Sequence, residues 1–218
     1  RSRNRQDLEE RFVRDVLRTL DAGGKVLVAG LAIGRLQEAF AILKRAGVTE
    51  RYPVFVDGGA CEIAKIYAEH GAVDEAIVEQ FVKARSDMRW NLISATEPLV
   101  VLAPNGMLKG GPAVTYGFHW ARSPENLFVL TSYQDPCTPG YKLLGASQGS
   151  TVNFLGRTPV VFNARAVQYS LSAHIDNDGR RQVVNRLKPR TTLLAHGSER
   201  HMDFIIDDLG SNVFKTSI

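Results

Sequence analysis

The chain has 218 residues, of which 44% are hydrophobic and 23% are charged, and its formal net charge is +4 at pH 7. This composition is typical of a folded globular protein and excludes a disordered or low-complexity chain. The mild positive charge is compatible with a phosphate-rich partner without requiring one. Cys61 and Cys137 form no Cys-x-x-Cys pair, which indicates a reducing compartment, and we expect a cytoplasmic location. No apolar run reaches the roughly 18 residues that a membrane span needs, and the N-terminus lacks the apolar segment of a signal peptide.

Apolar periodicity predicts helices and strands that alternate along most of the chain. Helices are predicted at 6–21, 34–47, 61–70, 74–89, 112–122, 177–187 and 200–209. Strands are predicted at 25–32, 53–57, 99–102, 127–130, 169–174 and 193–196, with a hairpin that joins 151–154 to 159–162. Alternation of this kind predicts the α/β class, with a parallel sheet covered by helices on both faces.

Two predicted strands end in histidine, one at His174 and the other at His196. The helix predicted between them makes a right-handed crossover, which would place both strands parallel in one sheet. Both histidines would then leave the sheet at its carboxyl edge, where open α/β sheets bind ligands. If the two strands are neighbours, they lie about 5 Å apart, and both imidazoles would then be able to face one centre. The alternative is that each histidine is an ordinary surface residue at a strand end.

The segment from Gly24 to Glu38 is a predicted strand, a glycine turn and a helix. Backbone N–H groups at a helix N-terminus favour anions, so this arrangement is similar to a phosphate cradle. Its spacing fits neither the Walker A loop nor the dinucleotide-binding fingerprint. Arg35 therefore has two open interpretations, a contact with a phosphate group or an ion pair with Glu38.

The loop after the predicted strand 99–102 contains Gly106, Gly110 and Gly111 between two prolines. Glycines permit close approach of a ligand to the backbone, so the loop either lines a substrate site or is a long turn. Asp57 follows another predicted strand and is expected to cap the next helix. The alternative is that Asp57 itself acts as a polar ligand at the end of that strand.

Five motifs resemble, in order, those of metallo-β-lactamase nucleases that carry a β-CASP insert. This family includes RNase J and the nuclease subunits of the cleavage-and-polyadenylation and Integrator complexes. The matching segments are Gly34-Arg-Leu-Gln-Glu38, Gly106-Met-Leu-Lys-Gly-Gly-Pro112, Ser132-Tyr-Gln134 with Thr138-Pro-Gly140, Ser172-Ala-His-Ile-Asp176 and His196-Gly-Ser-Glu199. The third segment departs from the family's pattern at Ser132 and Cys137.

The resemblance implies a three-layer β-CASP-like α/β domain at residues 1–155. It implies a C-terminal metallo-β-lactamase-like RNA-specificity segment, a strand-helix-strand piece, at residues 156–218. His174 matches the histidine that contacts the scissile phosphate and protonates the leaving oxygen, and Asp176 would orient it. His196 matches a ligand of the second zinc ion. The residues expected to contact RNA or its phosphates are Ser172, Arg35, Gly106, Gly110 and Gly111.

The family's His-x-His-x-Asp-His stretch, which supplies most zinc ligands, is absent from this sequence. The chain also does not begin with Met. We therefore expect part of a zinc-dependent ribonuclease whose hydrolase half lies on another segment or chain. Its expected partners are RNA and that half, and the resemblance also allows a homodimer. The alternatives are a non-catalytic RNA-binding or dimerising subunit with the same fold and, less favoured, a small-molecule enzyme.

Overall fold

A computed structural model describes residues 5–80, 86–171, 175, 177–195, 197–210 and 212–216. Contacts between Cα atoms divide the chain into two compact units. The larger unit ends at residue 172, and the smaller one contains the residues from 173 onward. None of the described helices is long and apolar enough to cross a membrane.

The larger unit alternates helices with strands, as its sequence predicts. Its helices are α1 (Arg5–Asp21), α2 (Arg35–Arg45), α3 (Val48–Arg51), α4 (Ala60–Glu69), α5 (Ser86–Ser94), α6 (Gly111–Trp120) and α7 (Pro139–Leu144), with a 3₁₀ helix at Glu75–Gln80. Its strands are β1 (Val26–Gly30), β2 (Val54–Val56), β3 (Val100–Pro104), β4 (Leu127–Leu130), β5 (Ser150–Val152), β6 (Val160–Phe162) and β7 (Arg165–Gln168).

Five strands form one sheet in the order β2-β3-β1-β4-β7, and every neighbouring pair is parallel. A parallel sheet is stable only when both of its faces are covered, which explains the continuous apolar runs in β1 and β3. Val26 and Val28 belong to the core that includes α1, α2 and α4. Leu27 and Ala29 belong to the opposite core, with α5, α6 and α7. The predicted class, a parallel sheet between two helical layers, is confirmed.

The predicted hairpin is also present, because β5 and β6 pair antiparallel in a sheet of their own. Val152 and Phe162 of this hairpin, together with Phe154, are buried against the α6 side of the main sheet. The single helix predicted at 74–89 is wrong in its first part. The amide of Ile77 donates to the carbonyl of Asp74, three residues earlier, at 3.1 Å, which tightens this segment into a 3₁₀ helix.

The strand predicted at 169–174 is not observed over residues 169–171, because β7 lies just before them and stops at Gln168. Residues 172–174 lie outside the described residues. The amide of Tyr169 still bonds to the carbonyl of Leu130 at 3.0 Å. The amide of Leu171 then donates to the carbonyl of Tyr169 at 2.8 Å. A hydrogen bond over two residues closes a γ-turn, which takes the chain out of the strand.

The smaller unit consists of α8 (Asn177–Leu187), β8 (Thr192–Leu194), α9 (Glu199–Leu209) and β9 (Val213–Lys215). β8 pairs parallel with β9 in a two-stranded sheet, so the crossover in this unit runs through α9. The prediction that the strands before His174 and His196 lie in one sheet is therefore wrong. The backbone of β8 finds its partner after the following helix, whereas β7 pairs with β4.

Cys61 is buried and Cys137 is exposed, and no disulfide joins them in the described part of the chain. The thiol of Cys61 donates to the carbonyl of Val56 at 3.0 Å. Burial raises the pKa of this thiol to about 12, so it stays protonated and packs as a small apolar group.

Candidate functional site

Four of the predicted site residues, Ser172, His174, Asp176 and His196, lie outside the described residues. Their roles therefore stay predictions. The other predicted residues, Arg35, Gly106, Gly110 and Gly111, lie on segments that leave the carboxyl ends of β1 and β3. All strands of the main sheet are parallel, so their carboxyl ends share one edge, which we call the sheet edge.

At the sheet edge, the segments after β1, β3 and β4 approach each other closely. A Cβ atom added to Gly106 would lie 2.1 Å from Oγ of Ser132 and 3.2 Å from Cα of Gly30. A Cβ atom added to Gly30 would lie 3.1 Å from Cγ of Arg35. Both glycines are thus required by packing, and they bring Gly106 and Arg35 to the same part of the edge.

Hydrogen bonds fasten the loop that contains Gly106 to the segment after β4. The side-chain amide of Gln134 donates to the carbonyl of Gly106 at 2.9 Å. The amide of Gly140 donates to the carbonyl of Met107 at 3.1 Å. Leu108, in the same loop, is fully buried despite a positive φ of 58°. This loop therefore has a fixed shape, which a site that positions a ligand requires.

The two other predicted glycines of this loop, Gly110 and Gly111, differ in whether their φ angle requires glycine. Gly110 has an extended backbone with φ of 171°, which any residue adopts. Gly111 begins α6 with φ of 70°, in the left-handed region that favours glycine. Pro112 follows within the first turn of α6, where the missing N–H of proline costs no hydrogen bond.

Arg35 is the first residue of α2 and follows the positive φ of Gly34. Its guanidinium donates to the carboxylate of Glu38 at 3.2 Å, which shows the second of the two interpretations left open above. Glu38 also accepts a hydrogen bond from Arg5. The side chain of Arg35 is only 12% exposed, so its charge is held close to the sheet edge.

Polar atoms at the sheet edge are left without protein partners. Within the described ranges, Nε of Arg35, Oγ of Ser132 and Oε1 of Gln134 are buried and have no hydrogen-bond partner. Buried polar groups normally find a partner, so such atoms require an explanation. Two of them are possible donors next to Gly30.

Asp57, directly after β2, has a buried carboxylate that bonds to residues on two later helices. Its carboxylate is completely buried and accepts two hydrogen bonds from Arg89, at 2.7 Å and 2.9 Å. The hydroxyl of Tyr116 donates to the same carboxylate at 2.9 Å. Asp57 thereby connects β2 to α5 and α6.

The predicted capping role of Asp57 is wrong. The N-cap residue of α4 is Gly59, and no side chain makes a capping hydrogen bond there. The bidentate guanidinium of Arg89 instead satisfies the buried carboxylate with two charge-assisted hydrogen bonds. Burial and the adjacent carboxylate of Asp57 raise the pKa of Tyr116, so its hydroxyl remains a donor at all ordinary pH values.

Comparison with known proteins gives two domain matches in succession. Residues 36–143 match the Beta-Casp domain, and residues 159–214 match the Zn-dependent metallo-hydrolase RNA specificity domain. The chain belongs to the β-CASP family. The resemblance inferred from the five sequence motifs is therefore confirmed.

Several curated β-CASP relatives align with nearly the whole chain. Transcription termination factor FttA of Pyrococcus abyssi is 30% identical, over 88% of this chain and 33% of that protein. Integrator complex subunit 11 of Danio rerio is 26% identical, over 92% of this chain and 35% of that protein. RNase aCSPSF2 of Saccharolobus solfataricus is 30% identical, over 94% of this chain and 41% of that protein. The chain thus spans well under half the length of these relatives.

The zinc centre implied by the RNA-specificity match is not built from the described part of this β-CASP chain. Among those residues, no group of three or more His, Cys, Asp or Glu side chains could hold a metal ion. The described residues therefore do not fit a zinc centre by themselves, and no chemical step through a metal follows from their geometry. His196, the predicted ligand, lies outside them.

The close approach at Gly106 leads to a stability prediction for the β-CASP domain. We expect Gly106→Ala to lower the free energy of unfolding by about 1–3 kcal/mol, because the new methyl group would overlap Oγ of Ser132. Thermal unfolding followed by circular dichroism measures this change. Adding Ser132→Ala, which removes that oxygen, should restore most of the loss.

Gly59→Ala is the matched control, since a Cβ atom there meets nothing within 4 Å and its φ is −58°. This variant should be neutral or slightly stabilising. Equal unfolding temperatures for Gly106→Ala and the unsubstituted chain would show that the sheet edge is not closely packed at this point.

Proposed function

We propose that the chain is the β-CASP and RNA-specificity part of a zinc-dependent ribonuclease that hydrolyses RNA phosphodiester bonds. The observation that carries this proposal is the succession of the two domains, a β-CASP domain followed by a metallo-hydrolase RNA-specificity domain. The same succession supports a functional division of the chain into residues 1–155 and 156–218. The fixed loop at the sheet edge supports a role of the first part in holding RNA.

In this proposal, His174 contacts the scissile phosphate and gives a proton to the leaving oxygen. A histidine suits the transfer because its ordinary pKa lies close to working pH. Asp176 orients His174 by a hydrogen bond. His196 is one ligand of a zinc ion, which supplies an activated water when bound. The other ligands come from a hydrolase half.

We propose that RNA is contacted at the sheet edge by Arg35 and by the backbone at Gly106, Gly110 and Gly111, and that Ser172 also contacts RNA. The position of Arg35 as the first residue of α2, near the loop that contains Gly106, supports this role. A phosphate oxygen accepts charge-assisted hydrogen bonds from a guanidinium and hydrogen bonds from backbone amides. The ion pair between Arg35 and Glu38 would hold the guanidinium in position for that contact.

The smaller unit carries a surface that suits a protein partner. Its apolar side chains Leu193, Phe204 and Phe214 are 64%, 54% and 52% exposed. Of its described residues, only Met202 and Val213 are buried apolar side chains. Exposed apolar side chains on a unit with so small a core indicate an interaction site. This supports the proposal that a hydrolase half packs against the unit.

The test is the zinc content of the complete protein with and without His196. We expect about two zinc ions per complete chain by elemental analysis. His196→Ala should lower that content by about one and remove RNA cleavage. His201→Ala is the matched control, because Nδ1 of His201 lies 2.8 Å from Oγ of Ser198, on the surface at the start of α9. Unchanged zinc content in His196→Ala would refute its assignment as a ligand.

A further inference from the structure

Five side chains on α5, α6 and the loops near them form a second feature, the aromatic–arginine face. They are Trp90, Phe118, His119, Arg122 and Arg157. The ring centroids of Trp90 and His119 are 5.0 Å apart, with their planes at 75°. Those of Phe118 and His119 are 5.1 Å apart, at 86°. The three rings thus make one continuous aromatic surface.

Two arginines lie over this surface. The guanidinium carbons of Arg122 and Arg157 are 6.0 Å and 5.6 Å from the centroid of Phe118, within the range of a cation–π contact. Arg157 also donates to the hydroxyl of Thr115 at 3.4 Å. Neither guanidinium forms an ion pair with a carboxylate in the described part of the chain. Their positive charges are therefore available to an anionic partner.

Trp90 is placed differently from the other tryptophan of the chain. Trp120 is 3% exposed, and its indole N–H donates to the carbonyl of Ile93 at 3.2 Å. Trp90 is 51% exposed, although burying an indole ring is strongly favourable. Burial and the two arginines lower the pKa of His119, so its ring is neutral at pH 7 and adds no like charge.

We propose that the aromatic–arginine face binds single-stranded RNA, with a base stacked on Trp90 and phosphates held by Arg122 and Arg157. Proteins bind single strands through aromatic side chains that stack on bases, beside cations that follow the backbone. A duplex keeps its bases stacked inside, so it cannot use an exposed indole in this way.

The face is separate from the sheet edge. His119 lies about 12 Å along α6 from Gly111, at a rise of 1.5 Å per residue. RNA bound at both places would extend for a few nucleotides over the α6 side of the larger unit. The choice of RNA rests on the proposed function, whereas the surface itself rests on its own side chains.

The experiment measures the affinity of the 218-residue chain for a fluorescently labelled single-stranded oligouridylate by anisotropy. Trp90→Ala should weaken binding about tenfold, and Trp90→Phe should retain most of the affinity, because phenylalanine still stacks. The double variant R122Q/R157Q should reduce the slope of log affinity against log salt by about 1.4, the value for two phosphates of a single strand.

R14Q/R18Q is the matched control. Both arginines are exposed on α1, on the opposite side of the sheet, and the described residues give them no ion pair. This variant changes the net charge equally and should bind as the unsubstituted chain does. Circular dichroism should show that every variant is folded, since the substituted side chains lie on the surface.

Affinity of Trp90→Ala within twofold of the unsubstituted chain would overturn the proposal. So would equal losses from R14Q/R18Q and R122Q/R157Q, because binding would then depend on overall charge. Failure of the unsubstituted chain to bind the oligouridylate would overturn this proposal and also the RNA-binding role in the proposed function. Because the assay needs no cleavage and no zinc, the first two outcomes would leave the proposed ribonuclease function untouched.

Discussion

Replacing Asp57 with alanine is expected to lower the free energy of unfolding by about 3 kcal/mol, at the lower end of the range for breaking a buried ion pair. The substitution removes the only carboxylate that bonds to Arg89 and Tyr116 in the described structure. The buried hydroxyl of Tyr116 then loses its acceptor, and α5 loses its polar connection to β2. Chemical denaturation measures the loss, which corresponds to a fall of about 10 °C in Tm for a unit of this size.

The chain contains a matched control for Asp57. Asp21 also accepts hydrogen bonds from an arginine and a tyrosine, Arg51 and Tyr52, but its side chain is 51% exposed. Water replaces the partners of an exposed carboxylate, so Asp21→Ala should cost less than about 1 kcal/mol. Equal costs at the two positions would contradict the account, since burial would then not determine the strength of the contact.

Replacing His174 with alanine in the complete protein is expected to lower the rate of RNA cleavage by about 10²–10⁴-fold, the usual contribution of a general acid. RNA affinity should change little, because many other contacts hold the substrate. Single-turnover cleavage separates the chemical step from binding. The pH dependence should change as well, since the group that protonates the leaving oxygen has been removed.

His70 provides the control for His174. It lies at the C-terminal end of α4, where Nδ1 is 2.8 Å from the carbonyl of Ile66, and it is exposed. His70→Ala should therefore cleave RNA at the original rate. Cleavage by His174→Ala at the rate of the unsubstituted protein would remove His174 from the mechanism.

The fold was predictable from sequence because its strands carry strong local signals. β1 and β3 are buried on both faces, so they consist of uninterrupted apolar residues. The glycines at 30 and 106 are likewise explained by close backbone approach at the end of those strands. Such features depend on a few neighbouring residues, and a single sequence contains them.

The predictions that were wrong concern residues whose partners lie far away along the chain. Asp57 was expected to act locally, at the start of the next helix, but it bonds to Arg89 and Tyr116 on two later helices. β8 was expected to lie in one sheet with the strand before it, but it pairs with the strand after it in a sheet of its own. Neither choice changes the local pattern of apolar residues, so periodicity could not distinguish them.

At the sheet edge, some features follow from the local sequence and others only from the three-dimensional structure. Glycine at position 106 follows from local crowding, and glycine at position 111 follows from its φ of 70°. Gly110 has no such requirement, because its backbone is extended. For Arg35, the sequence left two interpretations, and only the three-dimensional structure shows the contact with Glu38.

The most direct test of the central claim is an assay of the 218-residue chain alone with single-stranded RNA. We expect this chain to bind the RNA and leave it intact, even with zinc added, because in the proposed function it contributes RNA binding and a separate hydrolase half contributes most of the zinc ligands. The complete protein should cleave the same RNA. Cleavage by the chain alone at a comparable rate would contradict the account, and binding without cleavage by the complete protein would instead identify a non-catalytic RNA-binding subunit.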